Sequence, residues 1–365
     1  MTQIGIGIVG GGYMGKAHAV AMSAVGAVFN TALRPRLEMV CASSAASAET
    51  YRVAYGFARA TDSWQALVND PKVEAIIIAT PQATHRPIAE AAFALGKPVF
   101  CEKPLGKDVD DSRAMVAAAQ GHINMTGFNY IRTPASQFAR DLINSGEIGS
   151  VTGFRGEHTE DFLADPSAPA TWRTTGKANG MMGDLAPHPI NCALRLMGPI
   201  TSILAEIETV YPTRPGGEVT NDDHAHMLCR FENGVLGSIY ASRVATGRKM
   251  GYAYEITGSK GAIRFDGEDQ NAIHLYKMDG PEAQRGFTKI LTGPAHPDYG
   301  PFCQGPGHGT GYQDQIIIEA RDFLRAIETD KNIWPTFHDG MQVNQIIAAA
   351  HASSDAKAWR NINDF

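Results

Sequence analysis

Five short apolar runs in the first 127 residues, Ile4–Val9, Leu37–Ala42, Ala75–Ala79, Pro98–Cys101 and Ile123–Gly127, alternate with segments of helical period. The helical segments are Lys16–Met22, Ala46–Ala54, Trp64–Asn69 (introduced by the cap candidates Asp62 and Ser63), Arg86–Leu95 and Ser112–Ala119. An uninterrupted run such as Ala75-Ile76-Ile77-Ile78-Ala79 suits a strand covered on both faces, and this alternation predicts a doubly wound parallel sheet. The punctuation falls after the strands: Gly10–Gly15, Ser43-Ser44, Thr80-Pro81 and Glu102-Lys103-Pro104 each follow an apolar run. In a parallel sheet those ends lie on one edge, where ligands bind. Four unusual loops on one edge make a candidate site.

The first loop carries the most chemistry. Ile4–Val9 breaks into Gly10-Gly11-Gly12-Tyr13-Met14-Gly15 and then enters a helix. Gly10, Gly12 and Gly15 fit G-x-G-x-x-G. Gly10 permits the tight turn, Gly12 presents no side chain to a pyrophosphate, and Gly15 lets helix and strand pack closely. Open N–H groups and the helix dipole then favour phosphate. The turn is a candidate dinucleotide site.

A chain of 365 residues suits two domains, expected at 1–127 and 128–365. Beyond residue 128 the pattern changes. Val151–His158, Thr201–Val210, His224–Phe231, Val235–Arg243, Tyr252–Thr257 and Ala262–Phe265 are longer, alternating runs joined by turns such as Glu232-Asn233-Gly234, as in an open, mostly antiparallel sheet. Helices are expected at Pro134–Asn144, Gly183–Met197, Gln313–Glu328 and Asp339–Ala356, with Gly293–Gly311 an ordered loop; the final helices are free to pack back on the first domain. The fold class is therefore α/β followed by α+β.

A net charge of -6 gives no reason to expect nucleic acid or an anionic membrane as partner. No apolar run approaches a membrane span. The cysteines Cys41, Cys101, Cys192, Cys229 and Cys303 are scattered without C-x-x-C, which favours a reducing compartment, and the N-terminus lacks the marks of a signal peptide. A cytoplasmic location is expected.

Several polar residues stand where solubility alone does not call for them. Lys103 follows a buried strand beside Glu102 and Pro104; a lysine near a nicotinamide loses proton affinity and can polarise or deprotonate a hydroxyl. Its bland reading is a surface lysine paired with Glu102. Asp184 and His188 lie at i and i+4 of the expected helix, sharing a face behind the glycine-framed Asn179–Gly183. A carboxylate beside an imidazole sets its tautomer and pKa; a helix-dipole carboxylate with a core histidine is the structural alternative. A zinc pair has no further ligand at a recognisable spacing. His224 and His226, two apart in a strand, read as sheet surface before they read as metal ligands, and no metal site is expected. Trp172-Arg173 can roof a ring and hold a polar substrate, or anchor its loop. Asp161, Asp165 and His308 lie in similar loops. Cys101 reads as a buried structural thiol.

Taken in order, these motifs resemble the glucose–fructose oxidoreductase / inositol dehydrogenase / rhizopine-catabolism (GFO/IDH/MocA) family over almost the whole chain. Val9–His18 matches its phosphate loop, Ala79-Thr80-Pro81 with His85 its second cofactor loop, and Glu102-Lys103-Pro104-Leu105 its hallmark. Asn129-Tyr130 with Arg132 and Pro134 resembles its entry to the second domain, and Trp172-Arg173 with Gly183-Asp184 and His188 its catalytic stretch. The segment Glu160–Pro166 resembles members acting on pyranose rings, such as levoglucosan and glycoside 3-dehydrogenases. The resemblance implies a Rossmann domain, a nicotinamide cofactor, a sugar or polyol substrate, and a homo-oligomer (dimer or tetramer) formed through the second sheet. It implies Lys103, Asp184 and His188 as catalytic residues. Cofactor contacts fall to Gly10, Gly12, Tyr13, Met14, Ser43, Ser44, Thr80, Pro81, His85, Glu102, Lys103, Trp172 and Arg173. Substrate contacts fall to Lys103, Tyr130, Arg132, Asp161, Trp172, Arg173, Asp184, His188 and His308.

One departure bears on the cofactor. The family often carries an Asp after the second strand, for the adenosine ribose; here stand Ala42, Ser43 and Ser44 with no adjacent arginine, so NAD and NADP both remain open. The expected activity is hydride transfer between nicotinamide C4 and a secondary alcohol or ketone of a cyclic sugar, sugar derivative or inositol. The rivals are a glycosidase using NAD for transient oxidation and a non-catalytic dinucleotide sensor.

Overall fold

In a computed structural model, which describes residues 2–365, the N-terminal apolar runs become strands β1 (Thr2–Val9), β2 (Leu33–Cys41), β3 (Arg59–Thr61), β4 (Ala75–Ile78), β5 (Val99–Cys101) and β6 (Asn124–Thr126). All neighbours pair parallel, in the order β3-β2-β1-β4-β5-β6. The chain winds outward from β1, then returns to β4 on its other side. The crevice at this switch point opens between the glycine turn and Thr80-Pro81. Every residue of β4 is buried, and Ile76 and Ile78 pack in one core with Leu67, Val73, Ile88, Phe93 and Val99. β3 is an addition to the expected strands: its three residues are half-buried and polar enough to show no apolar run. β2 begins at Leu33, ahead of the expected Leu37, and contains Pro35; β3 pairs only with Met39–Cys41, so no β3 ladder bond is lost beside the proline.

The first of two compact units runs to Arg132, past the expected boundary at 127, and also takes Gly311–Gln342. Within it, the helix Tyr312–Thr329 packs along the helix Tyr13–Phe29, and Gln313 Nε2 donates to the Ala17 carbonyl at 2.9 Å. This helix brings two buried acids. Asp322 pairs with Arg132. Glu319 Oε1 accepts the Phe128 N–H at 2.7 Å, and burial pushes its carboxyl up to about 8 despite the nearby Arg132. The folded chain thus keeps a proton that the unfolded chain releases near pH 4.5. Stability contributed here falls as pH rises from about 4.5 to about 8, then levels off. Glu319→Gln keeps the acceptor and removes the titration. Its Tm should rise above wild type at pH 8 and match it at pH 4.5; equal shifts at both pH values would contradict the assignment.

The second unit holds Thr133–Thr310 and Val343–Phe365. Its strands are β7 (Val151–Thr159), β8 (Ile200–Glu208), a short hairpin of β9 (Thr213–Arg214) and β10 (Gly217–Glu218), β11 (His224–Phe231), β12 (Leu236–Ser242), β13 (Gly251–Gly258), β14 (Gly261–Asp266), β15 (Ala272–Lys277), β16 (Thr288–Leu291) and β17 (Arg360–Asn361). Nine of them form one sheet in the order β16-β15-β14-β13-β7-β12-β11-β8-β17. Every pairing is antiparallel except β7–β12. Burial alternates along β11, with Ala225, Met227 and Cys229 inward and His226, Leu228 and Arg230 outward.

The expected helix Gly183–Met197 is two helices, Met181–Asp184 and Pro187–Met197. Pro187 has no N–H to continue the ladder, so the turn closes through Ala186 N–H to Met181 O and His188 N–H to Leu185 O. Asp184 therefore ends one helix and His188 begins another; they do not share one continuous helical face. The helix Pro187–Met197 packs on β7, β12 and β13.

Candidate active site

In the first unit, the glycine turn is built around close approaches. Gly10 has φ +102°, and a Cβ there would lie 2.2 Å from the Ala79 carbonyl oxygen. A Cβ on Gly15 would lie 1.9 Å from the Gly10 oxygen. Only glycine serves at either position. At Gly12 a Cβ would meet nothing within 4 Å, so this position faces open space. Gly12 is also the N-cap of the helix Tyr13–Phe29, with no side-chain cap and no acidic residue in the first turn. Uncapped N–H groups beside an open glycine suit the diphosphate of a dinucleotide. The residues present therefore fit such a cofactor.

A cleft of about 490 Å³ adjoins this turn, lined by Gly10–Gly12, Ser43, Tyr51, Asp62, Thr80 and Pro81 among others. Ser44 is engaged locally instead: its hydroxyl accepts the Ser47 N–H at 3.2 Å and caps the helix Ala45–Tyr55. Tyr13 stacks on Tyr312 with ring centroids 5.8 Å apart, Tyr312 donates to Met14 Sδ, and Tyr130 lies 6.2 Å from Tyr312. Tyr312, far along the chain, has no local sequence signal.

Glu102 and His85 are supports rather than exposed cofactor ligands. Glu102 is buried, its Oε1 2.6 Å from His18 Nε2, and its Oε2 accepts the Lys103 N–H at 3.3 Å. The pair fixes the backbone that carries Lys103, itself half-buried. His85 is buried between the Thr80 carbonyl, 2.8 Å from Nε2, and the Leu105 carbonyl, 3.0 Å from Nδ1. It ties the second cofactor loop to the turn after Lys103. Cys101 is buried, and burial pushes its thiol well above the usual range, as suits a structural cysteine. Arg132 does not reach outward: its guanidinium pairs with Asp322, donates to the Trp334 carbonyl at 3.1 Å and lies over the Trp334 ring. That placement gives it a structural role, where substrate contact was expected.

In the second unit, Trp172 and Arg173 sit in a single 3-10 turn, Trp172–Thr174, capped by Thr171. Trp172 is 64% exposed. The Arg173 guanidinium lies 4.5 Å from the Trp172 ring and 5.7 Å from Phe162, and its Nη1 donates to Asp184 Oδ2 at 3.1 Å. Behind this turn Arg243 is buried. It pairs with Asp223 at 2.9 Å, bonds Asn221, and donates to the Arg173 carbonyl at 2.8 Å. The glycine-framed loop is equally tight: a Cβ on Gly180 would meet Asp222 at 2.3 Å, and one on Gly183 the Ala178 carbonyl at 2.1 Å.

His188 is buried with its ring 5.3 Å from His158. His158 contacts the Leu185 carbonyl through Nδ1 and Glu160 through Nε2 at 3.1 Å. A file Glu160–His158–His188 thus backs the expected catalytic histidine. Sequence reading missed His158 because an inward strand position conceals it. Asp161 pairs with Lys249 at 2.8 Å and accepts the Gly247 N–H; the Lys249 bond holds its carboxyl below the usual range. Asp165 binds Ser167, which likewise lowers its pKa. His308 lies beside Cys303, Nδ1 to Sγ 3.4 Å. His224 bonds Glu208 and His226 stacks on Tyr240. Among the described residues no group of three or more His, Cys, Asp or Glu is placed to hold a metal ion.

Residues 4–130 match the model of an oxidoreductase family with an NAD-binding Rossmann fold, and residues 136–264 match the GFO/IDH/MocA C-terminal domain. The chain belongs to the GFO/IDH/MocA oxidoreductases. It is 36% identical over 386 residues to levoglucosan dehydrogenase of Pseudarthrobacter phenanthrenivorans, covering 99% of each chain. It is 28% identical to inositol 2-dehydrogenase of Rhizobium meliloti, covering 94% of each. A solved structure of levoglucosan dehydrogenase in complex with NADH and levoglucosan superposes with a TM-score of 0.97 at 36% identity, covering 99% of this chain and 100% of that one. The GFO/IDH/MocA assignment agrees with the fold read from the strand–helix alternation and with an NAD-binding first domain.

Proposed function

We propose that this chain is an NAD-dependent dehydrogenase of a cyclic sugar or polyol, with an anhydro-pyranose or related pyranose as the favoured substrate class. The observation that carries this reading is full-length similarity to levoglucosan dehydrogenase, together with a glycine turn open at Gly12 and a lysine held at the same sheet edge. When bound, the nicotinamide supplies the hydride acceptor. Gly10, Gly12, Tyr13 and Met14 hold its diphosphate side, and Thr80 and Pro81 flank it. Either Lys103 or His188 takes the single hydroxyl proton as the hydride leaves the carbinol carbon, and Lys103 stabilises the developing oxyanion. Asp184, bonded to Arg173, sets the polar side of the sugar site, and the exposed Trp172 offers an apolar face to ring C–H groups. Tyr130 completes the grip.

The test is incubation of the whole protein with NAD and a panel of levoglucosan, other pyranoses and inositols, following reduced nicotinamide by absorbance. Accumulation of NADH with one of them is expected. Aglycone release without net NADH would favour a glycosidase, and saturable NAD binding with no turnover a sensor.

A homo-oligomer through the second sheet belongs to the same proposal. The outward face mixes Arg155, Glu157, Glu206 and Lys357 with Leu204 and Leu228, a pattern able to pair with its own copy. Sedimentation should give a dimer or tetramer of the 39.2 kDa chain; a monomer overturns this. Five free cysteines support a reducing, cytoplasmic location, and fractionation placing the protein elsewhere would refute it. No helix among the described residues is long and apolar enough to cross a membrane.

A further inference from the structure

Which dinucleotide the first unit accepts turns on charge at the adenosine ribose. NADP carries a 2′-phosphate there, and NAD carries free hydroxyls. The end of β2, where an acid commonly settles the choice, offers Ala42 and Ser43. The neighbouring strand supplies what β2 lacks. Cys41 pairs with Thr61 in the sheet, and the Ala42 N–H donates to the Thr61 carbonyl at 3.2 Å, so Asp62 stands directly beside Ala42. Asp62 lines the cleft next to the glycine turn, together with Ser43, Ser47, Tyr51 and Trp64. Among the described residues it is the only one lining the cleft with a charged side chain, and none of the lining residues is a lysine, arginine or histidine. Arg52, on the adjoining helix, is engaged by Glu49 through two 2.7 Å bonds.

Asp62 is not needed as a helix cap. Ser63 caps the helix Trp64–Asn69, its hydroxyl accepting the Ala66 N–H at 3.2 Å. The carboxylate's field also reaches the end of β2: burial and then Asp62 push the Cys41 thiol up to about 11.

We propose that Asp62, delivered from the end of β3, replaces the missing acid of β2, binding the adenosine ribose hydroxyls and rejecting a 2′-phosphate. This rests on the reading of the chain as NAD-dependent. A carboxylate accepts hydrogen bonds from the two hydroxyls; against a phosphate it is a like charge that no cation lining the cleft offsets.

Titration calorimetry of the whole protein with NADH and NADPH tests this without requiring a substrate. Wild type should bind NADH at least about 100-fold more tightly than NADPH. Asp62→Asn should narrow that ratio about tenfold or more, chiefly by tightening NADPH, and Asp62→Glu should retain most of it. Asp62 is exposed, so these variants should keep the wild-type melting curve. Equal affinities in wild type, or an unchanged ratio in Asp62→Asn, overturns the assignment. If wild type binds neither dinucleotide, the NAD-dependent reading fails and this one falls with it.

Discussion

Replacing Lys103 with methionine should lower kcat by about three orders of magnitude while NADH affinity stays within about threefold. Methionine keeps an unbranched stem of similar length and removes only the ammonium. What is lost is a proton acceptor and a positive charge for the developing oxyanion, effects worth about 4 kcal/mol together at that fold-change. The scaffold should survive, because the Lys103 backbone is held from outside the side chain: its N–H is bound by Glu102, and Glu102 by the buried His18. Lys103→Arg is the companion variant. It keeps charge but cannot release its proton near neutral pH, so it should restore substrate affinity without restoring turnover. Steady-state kinetics and NADH titration on the same preparations separate the two. A methionine variant with near-normal kcat would remove Lys103 from the chemistry.

A valine at Gly12 should abolish useful dinucleotide binding, weakening NADH by at least about 100-fold, and leave the fold intact. Gly12 has φ -69°, a value any residue adopts, and its Cβ would meet no protein atom within 4 Å. The space a side chain fills there is the space offered to the diphosphate. Gly10 gives the opposite outcome. With φ +102° and a Cβ 2.2 Å from Ala79 O, Gly10→Ala should lose stability before binding is measured. Melting curves and NADH titration of the two variants should therefore diverge. A Gly12→Val protein that binds NADH normally would mean the diphosphate lies elsewhere.

Legibility in the sequence follows the physics of each element. Buried parallel strands such as β4 announce themselves as apolar runs, and the loops after β1, β4 and β5 can be placed on one edge from the order of the residues alone. β3 cannot, being three half-buried residues beside an edge, and β15 and β16 hide between turns. Asp184 and His188 stand out in the sequence, but their four-residue spacing suggests one helical face only until Pro187 and Pro189 are given their due weight. Arg132 looks like an outward grip; its partner Asp322 lies in a helix nearly two hundred residues on, and no local pattern reveals such a pairing. Asp62 reads as a helix cap, a role that its neighbour Ser63 fills. Long-range pairing and competition between adjacent polar residues are what a one-dimensional reading leaves open.

The single parallel pairing in the second sheet governs where its chemistry can reside. β12 runs with β7, and β8, two strands further on, points the same way. A hairpin cannot join strands that share a direction, so the chain leaving Thr159 must travel back the length of the sheet before β8 can begin at Ile200. That return journey contains Trp172, Arg173, Asp184 and His188. Evolution can therefore lengthen, shorten or rewrite it to admit a different sugar without shifting any strand against its neighbour.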